Sequence, residues 1–435
     1  MEPVARAIVE RLQQKGFTAF YAGGCVRDML LGVAPVDYDI ATSARPEEVQ
    51  TLFQRTVSVG AHFGVVCVLE DGMEFQVATF RADGLYIDGR HPDSVIFSSP
   101  EQDAQRRDFT VNGMFYDPIR QETIDFVNGR ADLEAKLLRA IGNPAHRFSE
   151  DRLRMLRAVR LATTLGFEIE GETWQALLLQ VSEIHSVSPE RIREEWVRLF
   201  LSANRLKGFD LLDASGLMQE IIPEISALKG CEQPPQFHPE GDVFVHTRIM
   251  IELLPPEVSV SLVFSVLLHD IGKPATFCYH EKENRIRFSG HDKVGAKMTE
   301  GIMERLRFSR AEIEATVEAV DQHMVFKDVQ KMRVSRLRRF MSRPHFADEM
   351  ILHQVDCASS HGLLDNYEFL IQKQVEFSNE PLIPPPLVTG RDLLALGWKS
   401  GPALGKILEA VQNRQLEGTL VSREEAFNWI SSLDR

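Results

Sequence analysis

The chain has 435 residues, of which 44% are hydrophobic and 26% charged. It is too long for one ordinary core, so two to four domains of a soluble globular kind are expected. No run nears the about 18 apolar residues of a membrane span. The net charge of −14 argues against a general nucleic-acid coat while leaving room for a local basic patch.

In chain order, MEPVARAIVERLQQKGF reads as an amphipathic helix containing acids, not a signal peptide. Next, FTAFYAGG, DYDIAT, TVSVG, GVVCVLE and MEFQVATF read as strands and PEEVQTLF as a helix. They predict an α/β head over residues 1–147. From 148 strand signals almost vanish, and a helical neck over 148–228 is expected. Its first helix is SEDRLRMLRAVRLATTLGF, with Ser149 as N-cap. GCEQPPQFHPEGD is a Pro/Gly-rich break. Histidines then recur within helical patterns through a body, 229–378. NEPLIPPPLVTG is a second break, stiff by composition, before a helical tail over 379–435. The cysteines (Cys25, Cys67, Cys231, Cys278, Cys357) are scattered with no CxxC, which points to a reducing cytoplasm and no zinc ribbon.

The first chemical cluster is FYAGGCVRDMLLGVAPVDYDIAT. On a strand, residues i and i+2 face the same side, so Asp37 and Asp39 present two carboxylates together. They repel unless a divalent cation sits between them, and hard oxygen ligands suit Mg²⁺. Gly23 and Gly24 let backbone approach a triphosphate, and Arg27 can neutralise phosphate. The implied reaction is nucleotidyl transfer. Gly-Gly-x-Val-Arg-Asp followed by Asp-x-Asp resembles the head of the class II tRNA nucleotidyltransferases and bacterial poly(A) polymerases. By that resemblance RRDFTVNGMFYD is a second motif: Arg107 holds the nucleotide's phosphates, and Asp108 and Asn112 its ribose or the local loop. FRADGLYIDGRHPDSVIF, with Asp83 and Arg90, resembles the loop that helps switch from C to A addition. Gln76 stands where relatives commonly carry an acid, with Glu74 two residues earlier on the same strand face.

The second cluster is EDRLRMLRAVR. Helical spacing sets Asp151 beside Arg154, an acceptor next to a forked donor, which complements a base edge. In the resembled family this EDxxR string selects CTP and ATP. Arg157 and Arg160 would support the triphosphate and the selecting pair. SPERIREEWVRLF would brace that helix through Glu190, Arg193 and Glu194.

The third cluster spans GDVFVHTRIM, LLHDIGKP, SGHDKVGA, DQHM and VDCASSHG, giving His246, His269, Asp270, His291, His323 and Asp356. Mixed nitrogen and oxygen ligands suit Mn²⁺, Ni²⁺, Fe or Mg²⁺. Such a metal can turn water against a phosphate ester, with Lys273 placed to meet that phosphate. LLHDIGKP resembles the HD phosphohydrolase signature. In some tRNA nucleotidyltransferases this domain is associated with phosphatase or 2′,3′-cyclic phosphodiesterase activity. Between the last two ligands lies KMRVSRLRRFMSR. Its Lys331, Arg333, Arg336, Arg338, Arg339 and Arg343 would bind RNA phosphates through counterion release.

LVTGRDLLALGWKSGPALGKILEAVQNRQLEG also looks like the family's C-terminal helices, so the resemblance covers nearly the whole chain. It implies a multidomain fold: an α/β polymerase-β-like nucleotidyltransferase head, an all-α neck, an HD body and a helical tail. It implies addition of CMP and AMP, from CTP and ATP, to the tRNA 3′ end. Mg²⁺ would serve the head, and a divalent transition metal or Mg²⁺ the HD domain. The setting would be cytoplasmic, the state monomer or homodimer, with no DNA or membrane partner. A-only addition, a poly(A) polymerase and a regulatory HD nucleotide-binding protein are the alternatives. SVGAHFGVVCV lacks the arginine pair of the poly(A) enzymes, and intact Asp37, Asp39, Asp151 and Arg154 speak against a silent head.

Overall fold

The structure is a computed structural model describing residues 1–60, 64–83 and 95–433. It divides into two compact units, Met1–Pro223 and Glu224–Arg435. Most of the loop 80–97, including Arg90, and part of SVGAHFGVVCV lie outside the described residues.

In the first unit the head is built on β1 (Ala19–Ala22), β2 (Ile40–Thr42), β3 (Thr56–Gly60), β4 (Val65–Glu70) and β5 (Met73–Thr79). A separate two-stranded ladder, β6 (Arg81–Asp83) and β7 (Val95–Phe97), precedes β8 (Phe115–Asp117) and β9 (Glu122–Ile124). The main sheet has seven strands in the order β3-β4-β5-β2-β1-β8-β9. β1 runs antiparallel to β2, and β2 parallel to β5 with Ile40 opposite Val77. The alternating patterns therefore became strands, because one face could be buried: on β5, Phe75 and Val77 are buried while Glu74 and Gln76 are exposed. DYDIAT becomes a strand only from Ile40, so Asp37–Asp39 is the segment that enters β2. The helix Glu2–Gln14 buries Ala5, Ile8, Val9 and Leu12, a stripe at helical spacing.

The neck corrects one expectation. The first helix is Pro144–Glu150, capped by Asn143, whose side chain accepts from the His146 N–H at 3.0 Å. Asn-Pro was the start signal, since proline suits the first helical position. Ser149 lies inside this helix and donates to the His146 carbonyl at 2.7 Å; it is no N-cap. The chain then breaks at Asp151, which is extended (φ −144, ψ 105), and a second helix runs Leu153–Leu165.

The second unit is mainly helical, with Val243–Leu253, Val260–Leu268, His291–Arg305, Arg310–Gln322 and Phe346–Ser359 carrying the histidine cluster. A hairpin of Cys278–His280 and Arg285–Arg287 interrupts them, although no strand was expected there. The tail has its own core around Val388, Leu393, Val411 and Ile430. Among the described residues no helix is long and apolar enough to cross a membrane.

Candidate functional site

At the end of β1, Gly23 adopts φ +78, where a side chain is strained, and an added Cβ would stand 3.0 Å from the Arg107 guanidinium. Arg27 donates to Asp28 at 2.7 and 2.9 Å and to Asn112 Oδ1 at 2.6 Å. Asp37 and Asp39 flank buried Tyr38, and both are exposed. Among the described residues neither carboxylate accepts a hydrogen bond or pairs with a cation. Desolvation, and then the Asp37 charge, raise the Asp39 pKa against the pull of Arg107. Two unpartnered carboxylates set this close in the chain fit a divalent cation. The β2–β5 register begins with Ile40 opposite Val77, so Gln76 and, two residues earlier, Glu74 lie at the end of β5 next to where Asp39 enters β2.

Opposite stand Arg106 and Arg107. Asp103, which no sequence motif singled out, is 1% exposed and holds both. Its Oδ1 accepts from Arg106 at 2.8 and 3.0 Å, and its Oδ2 from Arg107 at 2.9 and 3.1 Å. The signal was an acid three and four residues before two arginines on one short helix. Asp108 accepts from Asn112 at 3.2 Å and from Arg157 at 2.6 and 3.0 Å. Burial pushes the Asp108 carboxyl up, but the Arg157 guanidinium overrides it and leaves the pKa far below the usual range.

The expected Asp151–Arg154 pair does not form, because the helix break removes their helical spacing. Arg154 pairs instead with Glu150, and also donates to the Arg147 carbonyl at 2.9 Å. Asp151 takes Arg191 at 2.7 and 3.2 Å. Arg160 pairs with Glu195, which also meets Arg157 at 3.5 Å. From SPERIREEWVRLF, Arg191 and Glu195, one helical turn apart, reach the EDxxR segment and its following arginines. Gly23, Gly24, Asp39, Arg106, Arg107, Asp108, Asn112, Asp151, Arg154 and Arg157 line one cavity of about 280 Å³; Arg160 does not. Acceptors and forked donors converge there, with Asp151 and Arg154 each held by a partner other than the other.

In the second unit His246, His269, Asp270, His291, His323 and Asp356 come together as two triads. One is His246, His269 and Asp356; the other is Asp270, His291 and His323. Nδ1 of His269, His291 and His323 faces a backbone carbonyl (Val266, Phe288 and Val320) at 2.9, 2.8 and 2.6 Å. A carbonyl only accepts, so each Nδ1 carries a proton and each ring turns its other nitrogen, Nε2, inward. Nε2 of His291 and His323 are 3.1 Å apart, and the buried Nε2 of His269 and His246 lie 3.1 and 3.2 Å from Asp270 and Asp356 without an aligned hydrogen bond. Burial and the neighbouring His269 push His323 down to about 4, so it stays a lone-pair donor. Asp270, despite burial, is held well below the carboxylate range by His269 and Lys273. This donor set fits cations, and two triads offer two positions. Burial and Asp356 push the nearby Cys357 thiol up to about 12, so no thiolate competes.

Two expectations change here. Lys273 is committed to Asp270 at 2.6 Å and to Gln233 at 2.6 Å, so it orders the site rather than awaiting a phosphate. The break GCEQPPQFHPEGD is part of the site. Its Glu240 accepts from His246 Nδ1 at 2.7 Å and His238 Nδ1 at 2.9 Å, fixing the tautomer that aims His246 Nε2 at Asp356, 3.2 Å away.

A family model for the poly A polymerase head domain matches residues 19–139, and an HD domain model matches 243–356. A third, described as a probable RNA- and SrmB-binding site of polymerase A, matches 166–229. The CCA-adding enzyme of Streptococcus thermophilus is 33% identical over 97% of this chain and 94% of its own length. That of Bacillus pumilus is 31% identical over 100% of this chain and 98% of its own. The chain belongs to the CCA-adding enzyme family. In fold it is similar to a Bacillus stearothermophilus CCA-adding enzyme solved with CTP, at a TM-score of 0.75 and 23% identity over 98% of this chain and 96% of that one.

Within this CCA-adding family member the expected basic stripe is only partly a stripe. Lys331, Arg333 and Arg336 are exposed, with Lys331 3.0 Å from Asp328. Arg338 and Arg343 turn inward to Glu380 and Glu349 and lie over the rings of Phe377 and Phe340. Arg339 donates to Gln412 and Asn413, each at 3.0 Å. Of the six, only Arg336, Arg338 and Arg339 lie on the helix Val334–Met341, and Arg338 falls on its buried face.

Proposed function

We propose that the chain adds CMP and AMP, from CTP and ATP, to the 3′ end of tRNA, and that its HD site hydrolyses phosphoesters at RNA ends. The observation carrying the first activity is the cleft itself: unpartnered Asp39, with Asp37 two residues before it, shares one cavity with arginines already fixed by acids. Mg²⁺ held by these aspartates would activate the tRNA 3′ hydroxyl and hold the departing pyrophosphate. Attack on the α-phosphorus forms the new phosphodiester and breaks the α–β bond. Arg107, aligned by Asp103, and Arg27, aligned by Asp28 and Asn112, meet the triphosphate oxygens. Asp151 and Arg154 offer an acceptor and a donor to the base, each oriented by its own partner rather than by the other. Selection by side chains needs no nucleic-acid template. Solved CCA-adding enzymes hold CTP, ATP and tRNA, in keeping with this reading.

The test is incorporation of labelled CTP and ATP into tRNA lacking its CCA end. The parent should extend it, and Asp39→Ala should not, while melting at the parent's temperature. Normal turnover by that variant would remove the carboxylates from the mechanism.

The second activity rests on the converging Nε2 atoms. The two triads, with Glu240 orienting His246, would hold one or two divalent ions of Mn²⁺, Ni²⁺ or Fe type, or Mg²⁺, which would supply an activated water. The setting expected for such an enzyme is the cytoplasm.

A further inference from the structure

We infer that the HD cavity carries a base-stacking subsite, formed by Phe237 and Arg285, that makes it selective for a terminal nucleotide over a base-free phosphoester. The inference rests on reading the HD site as a phosphoesterase.

The cavity measures about 720 Å³ and has Asp270, His291, His323 and Asp356 in its wall. Small-molecule sites commonly span ~300–1,000 Å³. Orthophosphate and its metals would leave most of this room unfilled. The remainder is lined by Phe237 and Arg285, among other groups of the 231–242 segment and the Cys278–Arg287 hairpin. Phe237 is 40% exposed, although it is a large aromatic ring beside a buried metal-ligand cluster. The Arg285 guanidinium lies 5.2 Å over that ring. Among the described residues Arg285 has no carboxylate within ion-pair distance, so its charge is not spent on the protein. An aromatic face joined to a planar cation is the surface on which bases stack, irrespective of base identity. Lys327 lines the same cavity, is exposed and forms no ion pair among the described residues, so a phosphate could be met there. The cavity thus pairs a metal floor with a stacking wall, which suits a ribonucleotide.

Stacking is worth about 1–3 kcal/mol per base, or on the order of tenfold or more in KM. The full-length, Mn²⁺-loaded protein is assayed on adenosine 2′,3′-cyclic phosphate and on methyl ribofuranoside 2′,3′-cyclic phosphate, which shares the reacting group but lacks the base. The parent should show at least a tenfold lower KM for the nucleotide. Phe237→Ala and Arg285→Ala should erase that difference, with kcat within about twofold and the base-free ester unaffected. Equal KM values in the parent, or an unaltered preference in Phe237→Ala, would overturn the subsite. A parallel arm measures equilibrium binding of labelled 2′-AMP and of ribose 2-phosphate, with the head saturated by CTP. A parent that binds 2′-AMP preferentially, and loses this in Phe237→Ala, supports the subsite even if neither ester is cleaved; absent cleavage would then sink only the hydrolase reading.

Discussion

Asp103 shows how a single buried side chain can set the geometry of the whole proposed phosphate site. It is shared by Arg106 and Arg107, and it settles where their guanidinium groups point. Hydrogen bonds to charged groups contribute about 1.5–3 kcal/mol each. Asp103→Asn should therefore raise KM for both CTP and ATP on the order of tenfold, leaving the choice between them intact. Steady-state assays with each nucleotide check this, and unequal effects on CTP and ATP would contradict it. Asp151 and Arg154 are proposed to address the base instead. Asp151→Ala and Arg154→Ala should each admit UTP or GTP in a four-nucleotide competition. Unchanged discrimination in both would reduce them to structural ion-pair partners of Arg191 and Glu150.

At the scale of elements, the neck helix Pro189–Phe200 works as a splint. Arg191 and Glu195 project from one face and hold Asp151, Arg157 and Arg160. Arg191→Ala should loosen Asp151 and cost selectivity more than rate, read as the ratio of CTP to UTP incorporation at equal turnover. Loss of rate alone would show that Arg191 merely supports the fold. The motif EDxxR was visible in the sequence, but its pairing was not. Whether Asp151 and Arg154 touch depends on a helix break fixed by Asn143 and Pro144 upstream and by Arg191 some forty residues downstream, which local spacing cannot report. The basic helix Val334–Met341 gives the same lesson. Which arginines face water was decided by Glu380, Glu349 and Asn413, all outside the helix in sequence. Charge reversal at Arg333 and Arg336 should weaken tRNA binding. It should also reduce the salt slope by roughly 0.9 for each phosphate left without its cation, taking duplex RNA to behave like B-form DNA. Arg339→Gln should leave the slope as in the parent. A binding titration over a salt series checks both.

For the molecule as a whole, the two proposed chemistries draw on two separate sets of candidate metal ligands. The strands and the clustering of the histidines were legible because each has a short-range signal: alternation for β5 and residue type for the histidines, whereas Asp37 and Asp39 lie just ahead of the strand on which their spacing was read. Glu240, Gln233 and Phe237 were not, because a Pro/Gly-rich segment carries no period from which burial can be read. The separation of sites has a direct consequence. His269→Ala with Asp270→Ala should end phosphoester hydrolysis and retain CTP and ATP addition. Chelation of the parent should stop both activities, and transition-metal add-back should restore hydrolysis. The most direct measurement is sequencing of the 3′ ends of a tRNA lacking CCA after incubation with the purified chain, Mg²⁺ and all four nucleotides. Ends reading CCA, absent with Asp37→Ala, are predicted. Ends that remain unextended, or that grow into runs of A, would contradict the account.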